Sequence, residues 1–545
     1  MTKVLERECR FAIHMPSKHP EQPDVHLIKE VLHLEGGTTK PNIRFIKDYV
    51  RPFWVTLPRY RSHKQKKEVE SLDKLMEYRT TQSNLRDEVA KALDRGWSKD
   101  TMRTLSSNPY LYGSDITSTS LIKQQYMEKY PNTVTQYSIG VLDIETDVLH
   151  GTEEIVMITL STETKSITAV VGSFISGIAR PVEAVNKAVD KYISEYVTNK
   201  AIEIVIADTS VEAIKEVFKR AHEWMPDWIA VWNIDFDVPK ILSALEKAGV
   251  DPKDVISDPR VPKHMRICKY KQGAKKKITA SGKETPISPA SQWHTFNTTS
   301  SFYFMDAMCA YKQLRISQQE EPSYALDAIL NKELGIRKLK FKEADAYTGL
   351  KWHQVMQRDF KVEYVVYNIF DCISILELDK KTKDLASTLP TFSDVTDFSL
   401  FKSQPRRIAD NLHRFCIAKG LVISSNGRTE ALEEDILSLK NWILTLPSHL
   451  SMLGKQCILE DSSIHTGVRC YTYDSDAVSA YPSASSACNV SRRTTVRELV
   501  KIAGVPEKVF RMQNLNLILG KTNSLEYCTT MFKFKKPQEL LLELK

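Results

Sequence analysis

Short apolar runs alternate with helix-period segments through the middle of the chain. "SIGVLDIE" (138–145), "EIVMITLST" (154–162) and "AIEIVIAD" (201–208) are brief and rich in β-branched residues, which predicts strands. "EAVNKAVDKYISEYV" (183–197) and "SVEAIKEVFKRAHEW" (210–224) carry apolar residues three and four apart, which predicts amphipathic helices. Strands and helices in alternation over 136–385 imply α/β layers around a central sheet. Residues 1–135 mix strand-like runs with "ESLDKLMEYRTTQSNLRDEVAKAL" (70–93), which reads as helical, so an α+β domain is expected there. The stretch "CKYKQGAKKKITASGKETPISPASQ" (268–292) is basic and rich in Gly, Ser and Pro, which predicts an exposed loop or hairpin tip. From 386 the pattern turns helical, then strand-like again at "GVRCYTYDSDAVSAYPS" (467–483), marking a third region over 386–545.

One strand carries a chemical oddity. In "YSIGVLDIETDVLH", Asp143 and Glu145 interrupt an apolar run. Residues i and i+2 of a strand point to one face, so two like charges sit side by side. That is unfavourable unless a cation lies between them or the strand end is solvated. Asp237, in "AVWNIDFDVPKILSALEKAG", precedes Val238 and Pro239, and a proline suits a first helical turn, so Asp237 is expected at a helix start. In "VEYVVYNIFDCISILELDKKT", Tyr367 and Asp371 lie four residues apart on a periodic helix and share a face.

In order, these stretches read D-x-E, N-x-x-F-D and Y-x-x-x-D. The set resembles the three motifs of the DnaQ-like (DEDDy) 3′→5′ exonucleases. The wording "DIET", "WNIDFD" and "YNIFD" is similar to the proofreading domain of B-family DNA polymerases, especially those of tailed phages. The resemblance implies an RNase H-like exonuclease domain with a central mixed β-sheet over 136–385. It makes Asp143, Glu145, Asp237 and Asp371 ligands of two Mg²⁺ ions, with Mn²⁺ as an alternative. It gives Tyr367 the orientation of the attacking water and places Asn233 and Phe236 along the path of the 3′-terminal nucleotides. Asp306, in "FYFMDAMCAYKQLR", is expected to be structural.

A second likeness follows. "DSDAVSAYPSA" resembles motif A of the polymerase palm, which implies that Asp476 binds a catalytic metal and that Ser479, Ala480 and Tyr481 lie under the triphosphate, Tyr481 sensing a 2′-hydroxyl. Ala480 stands where the family usually has Leu. Arg492 and Arg493 then run beside the template. Beyond Asp476 there is no second palm carboxylate motif and no fingers helix. "GKTNSLEYCTT" fails both as a fingers motif and as a phosphate loop, because Lys521 is misplaced and position 515 is Leu. The expectation is an N-terminal domain, an exonuclease domain and the start of a palm, with the remaining parts on a second polypeptide or on a longer form of the chain.

Composition changes this picture little. The 545 residues suit several domains, and the formal charge of +8 is a weak pointer to an anionic partner. Nine cysteines without a CxxC pair argue against zinc and disulfides, and for a reduced, cytoplasmic setting: a host cytoplasm or a replication compartment if the protein is viral. No apolar run is long enough for a membrane span. Lys275, Lys276 and Lys277 either bind backbone phosphates or form a solvated charge run. The expected partners are a single-stranded 3′ end, a primer-template and a sliding clamp. A polymerase active alone and a catalytically silent DNA-binding subunit are the alternatives. Four carboxylates and a tyrosine would be idle in the latter.

Overall fold

The computed structural model describes residues 3–388, apart from 17–21, 64–65, 97–98, 134, 279–281, 317 and 345, together with residues 412–425. The polymerase-like residues Asp476, Ser479, Ala480, Tyr481, Arg492 and Arg493 lie outside these. The chain divides at Gly427 into a first unit, Met1–Gly427, and a second whose residues all lie outside the described ones. The described residues all belong to the first, which is a mixed α/β structure with several sheets.

The chain starts with a three-stranded antiparallel meander, Val4–Met15, Val25–Leu34 and Thr39–Lys47. Helix Ser118–Lys129 lies on it, with Ile122 packed among Cys9, Ala12 and Ile28. A second sheet places Arg51–Thr56 between Leu75–Thr80 and Leu111–Tyr112. Here the expectation of one helix over 70–93 is corrected. Apart from a 3₁₀ turn at Leu72–Lys74, only Leu85–Ala92 is helical, because Leu75–Thr80 pairs along Arg51–Thr56 and buries Leu75 and Thr80 there. Strand pairing with a distant segment overrides a helix-compatible local pattern. Residues 421–423 return to this region and pair with Val69–Ser71.

The main sheet has six strands: β1 (Ile139–Thr146), β2 (Ile155–Thr162), β3 (Lys165–Val171), β4 (Ala201–Ala207), β5 (Trp228–Val231) and β6 (Tyr303–Asp306). Their order across the sheet is β4-β3-β2-β1-β5-β6. β2 is antiparallel to both its neighbours, and the remaining pairings are parallel. α2 (Ser210–Trp224) and α3 (Ile234–Lys247) cover one face of the sheet, and α1 (Pro181–Tyr192), α4 (Gly349–Asp359) and α5 (Lys361–Thr382) cover the other. Strand alternation sorts the core. Leu142, Ile144, Ile158 and Leu160 pack with Val217 and Phe218 of α2 and Val238 and Ile241 of α3. Met157 and Val170 pack with Val185 of α1 and Val365 and Ile369 of α5. Asp143 and Glu145, out of phase with Leu142 and Ile144, therefore belong to the α5 face.

A buried ionic group joins the first meander to the main sheet. Asp227 accepts hydrogen bonds from Ser138 N (2.9 Å) and Oγ (3.2 Å), and its Oδ2 lies 3.3 Å from Nε of Arg10. Lys29, fully buried, sits 3.8 Å from Asp227 Oδ1 and donates to the carbonyls of Met225 and Ser301. Removing the acid leaves two buried cations with less compensation. Asp227→Ala should cost about 3 kcal/mol of stability, read from denaturant midpoints. An unchanged midpoint would mean that Glu8 and backbone carbonyls satisfy both cations without Asp227.

Among the described residues no helix is long and apolar enough to cross a membrane.

Candidate active site

α5 reads "KVEYVVYNIFDCISILELDKKT" and is apolar on nearly every side, as a helix buried between layers must be. Residues 364–376 are all buried, including Tyr367, Asn368 and Asp371. The helix carries these polar groups onto the β1 face. There Asp143, Glu145 and Asp371 present carboxylate oxygens that all lie within 4.8 Å of one another. Asp237 comes from α3, and its Oδ1 accepts from the N–H of Ile144 (3.2 Å), the residue between the two β1 acids. Four acids from three distant stretches thus converge.

The helix bearing Asp237 begins earlier than expected. α3 starts at Ile234 with Asn233 at the cap position, so Asp237 is its fourth residue and Pro239 lies inside it. A proline this near the start removes a single intrahelical bond, which the helix tolerates because its apolar face (Val238, Ile241, Leu245) is buried. Phe236 is 45% exposed, although its neighbour Asp237 is buried. Asp306 is buried at the end of β6. It caps helix Ala307–Leu314 by accepting from Cys309 N (2.8 Å) and also accepts from Ile234 N (3.4 Å).

Sequence reasoning passed over a cation. Lys338 donates to Asp371 Oδ2 (2.6 Å) and to the Tyr367 hydroxyl (3.0 Å). Burial works against its charge, yet Asp371 and Asp143 outweigh burial and hold the ammonium above the ordinary lysine range. It lies among "IRKLKFKE", where nothing sets it apart from Lys340 and Lys342. Three other polar groups were missed. Asn368 donates to Asp143 Oδ2 (2.6 Å), and its own Oδ1 accepts from Thr159 Oγ1 (2.5 Å). Tyr364 donates to Glu145 Oε2, and His353 Nδ1 lies 2.8 Å from the Tyr364 hydroxyl. Tyr364 did carry a signal, since it stands one helical turn before Tyr367 and their rings stack at 5.8 Å with 2° between planes.

The acids are held far from their solution behaviour. Burial, with Asp237, Asp371 and Glu145 close by, keeps the Asp143 carboxyl well above the usual range. Burial pushes Glu145 up to about 8 and Asp237 up to about 7. Asp371 is also raised by burial, against the pull of Lys338. Tyr367 is shifted upward by burial and by Asp371, Glu145 and Asp143, so it stays a neutral phenol able to donate.

One lysine does not balance four carboxylates, and Asp371 Oδ1 is buried without a hydrogen-bond partner. A cluster of hard oxygen donors with an orphaned carboxylate oxygen fits a divalent cation of the Mg²⁺ or Mn²⁺ kind.

The basic stretch forms a hairpin, Lys276–Ile278 against Glu284–Pro286, with Ile278 74% exposed. Its lysines differ in their surroundings. Lys275 is 2.9 Å from Asp235, Lys276 is 3.1 Å from Glu284, and Lys277 is exposed. No protein-family model matches the chain, and no curated protein matches its sequence.

Proposed function

We propose that the chain is a divalent-metal-dependent 3′→5′ DNA exonuclease of the DEDDy type, with an RNase H-like exonuclease domain, acting as the proofreading part of a B-family polymerase. The observation that carries this reading is the meeting of Asp143, Glu145 and Asp371 beside Tyr367, with Asp237 hydrogen-bonded to the backbone between the two β1 acids. The mixed central sheet, with β1 in its interior, supports it.

Two bound Mg²⁺ ions would supply an activated water and stabilisation of the leaving oxygen. Asp143, Glu145, Asp237 and Asp371 would hold them. The chain's own groups do the rest. Tyr367, neutral and hydrogen-bonded to Lys338, orients a water through its hydroxyl. Lys338 holds a positive charge beside Asp371 and would help to stabilise negative charge that develops on the phosphoryl oxygens. Phe236 offers an exposed ring on which a terminal base can stack, with Asn233 one helical turn away. The part assigned to Asp476, Ser479, Ala480 and Tyr481 in synthesis, the template contacts of Arg492 and Arg493, and the need for a second polypeptide belong to the same proposal.

The test gives the purified chain a primer with a mismatched 3′ end on a template, with Mg²⁺ and all four dNTPs. Shortening without extension is expected. Shortening that survives in Asp143→Ala with Glu145→Ala would remove the site assignment, and extension would show a complete polymerase site.

A further inference from the structure

The ligand carboxylates are held by a second layer of side chains, and its hydrogen bonds have a direction. Gln357, buried on α4, accepts at Oε1 from the N–H groups of Val148 (3.1 Å) and Leu149 (3.2 Å), and donates from Nε2 to the carbonyl of Thr146 (2.7 Å). Backbone N–H groups only donate and a carbonyl only accepts, so the orientation of this amide is fixed. Its remaining N–H points to the Tyr364 hydroxyl at 3.4 Å. His353, one turn earlier on α4, brings Nδ1 to the same hydroxyl at 2.8 Å. The third partner of that oxygen is Glu145 Oε2. A phenol has one proton to give and two lone pairs to fill. If Glu145 serves as a metal ligand, its oxygens accept, so the proton of Tyr364 goes to Oε2. His353 then donates from Nδ1, and Gln357 fills the second lone pair.

We propose that Tyr364 is a positioning residue for metal binding. Its hydroxyl, oriented by His353 and Gln357, ties down Glu145 Oε2 and so fixes how this carboxylate would be presented to a cation. Gln357 has a second role here, because its three backbone bonds hold residues 146–149, which follow Glu145 directly. Outer-layer partners of this kind orient ligands, and their loss typically lowers metal affinity about 10–100-fold. The inference rests on the exonuclease reading given above.

The experiment is Mn²⁺ titration by calorimetry of the full chain and of Tyr364→Phe, His353→Leu and the double variant, without DNA. Tyr364→Phe removes one oxygen and keeps the ring stacked on Tyr367, so the fold should survive, and thermal melts check this. Tyr364→Phe should lose about tenfold in Mn²⁺ affinity. His353→Leu should also lose affinity, and the double variant should lose no more than Tyr364→Phe alone, because His353 acts through the tyrosine. A general structural role would instead give additive losses tracking the melting temperature. Unchanged affinity in Tyr364→Phe, or additive losses, would overturn the proposal. Should the unaltered chain bind no Mn²⁺, or bind it equally well with Asp143→Ala, the exonuclease reading itself falls and takes the proposal with it.

Discussion

Asp143→Asn is expected to lower Mg²⁺-dependent removal of 3′-terminal nucleotides by about 10³-fold or more, while making the metal-free protein more stable at neutral pH. Both effects come from the same crowding. Asp143 faces Asp237, Asp371 and Glu145 in a buried setting, and its carboxyl is held well above the usual range. In an unfolded chain a carboxyl loses its proton near pH 4. In the folded, metal-free protein Asp237 keeps its proton to about 7 and Glu145 to about 8. The folded state thus binds more protons across that window. Its stability is full below about pH 4 with respect to these groups and falls as pH rises towards 8. An amide at position 143 removes one of the acids that must give up a proton as pH rises and still meets Asn368, so the fall is shallower. Melting curves in chelator between pH 5 and 8, with and without added Mg²⁺, check this. The unaltered protein should gain from Mg²⁺ most strongly near pH 8, and Asp143→Asn should gain little. A variant that melts lower than the parent in chelator at pH 8 would mean that Asp143 is held by partners rather than crowded by them.

Lys338→Met is expected to do the opposite to stability. The lysine pairs with Asp371 at 2.6 Å, and its side chain is 28% exposed. Breaking a fully buried pair costs about 3–5 kcal/mol, and partial exposure brings the expected loss to about 2 kcal/mol. Added Mg²⁺ should recover much of that loss, since it supplies the positive charge that Lys338 provided. Catalysis should still fall by about 10–100-fold, because Tyr367 loses the partner that holds its hydroxyl. Single-turnover digestion of a labelled single strand at saturating enzyme separates this loss from weaker DNA binding. A variant with unaltered turnover would show that Lys338 is only a counterion for the acidic cluster.

The parts of the fold that could be read from the sequence are those where local pattern and burial agree. β1, β2 and β4 are short β-branched runs, and α2 and α5 have the right period, so each falls where its pattern puts it, whereas the run over 183–197 breaks at Ile193 into α1 and a short turn of helix, Ser194–Val197. The run at 70–93 misleads because its first half gains more from pairing with Arg51–Thr56 than from a helix. The start of α3 shifts because Pro239 announces a first turn that in fact begins at Ile234. For the site, spacing marks Asp143 and Glu145 as neighbours on one strand face and Tyr367 and Asp371 on one helix face, while the full set with Asp237 comes from the resemblance of three ordered motifs. Lys338, His353 and Gln357 were invisible for the opposite reason. Each lies outside the three motifs, and its part depends on how its segment folds back over β1 and α5.

The pairing of Leu421–Ile423 with Val69–Ser71 sets a clock on folding. The two strands are separated by about 350 residues of chain, which a ribosome takes roughly tens of seconds to make at about 5–20 residues per second. Through that interval Val69–Ser71 has no partner on this edge, and Ser114, which later meets Ser425 at 2.7 Å, waits with it. An open edge invites pairing with other chains. Expression at low temperature or with slowed initiation, which spaces nascent chains apart, should therefore raise the yield of correctly folded protein more than any change to the acidic cluster.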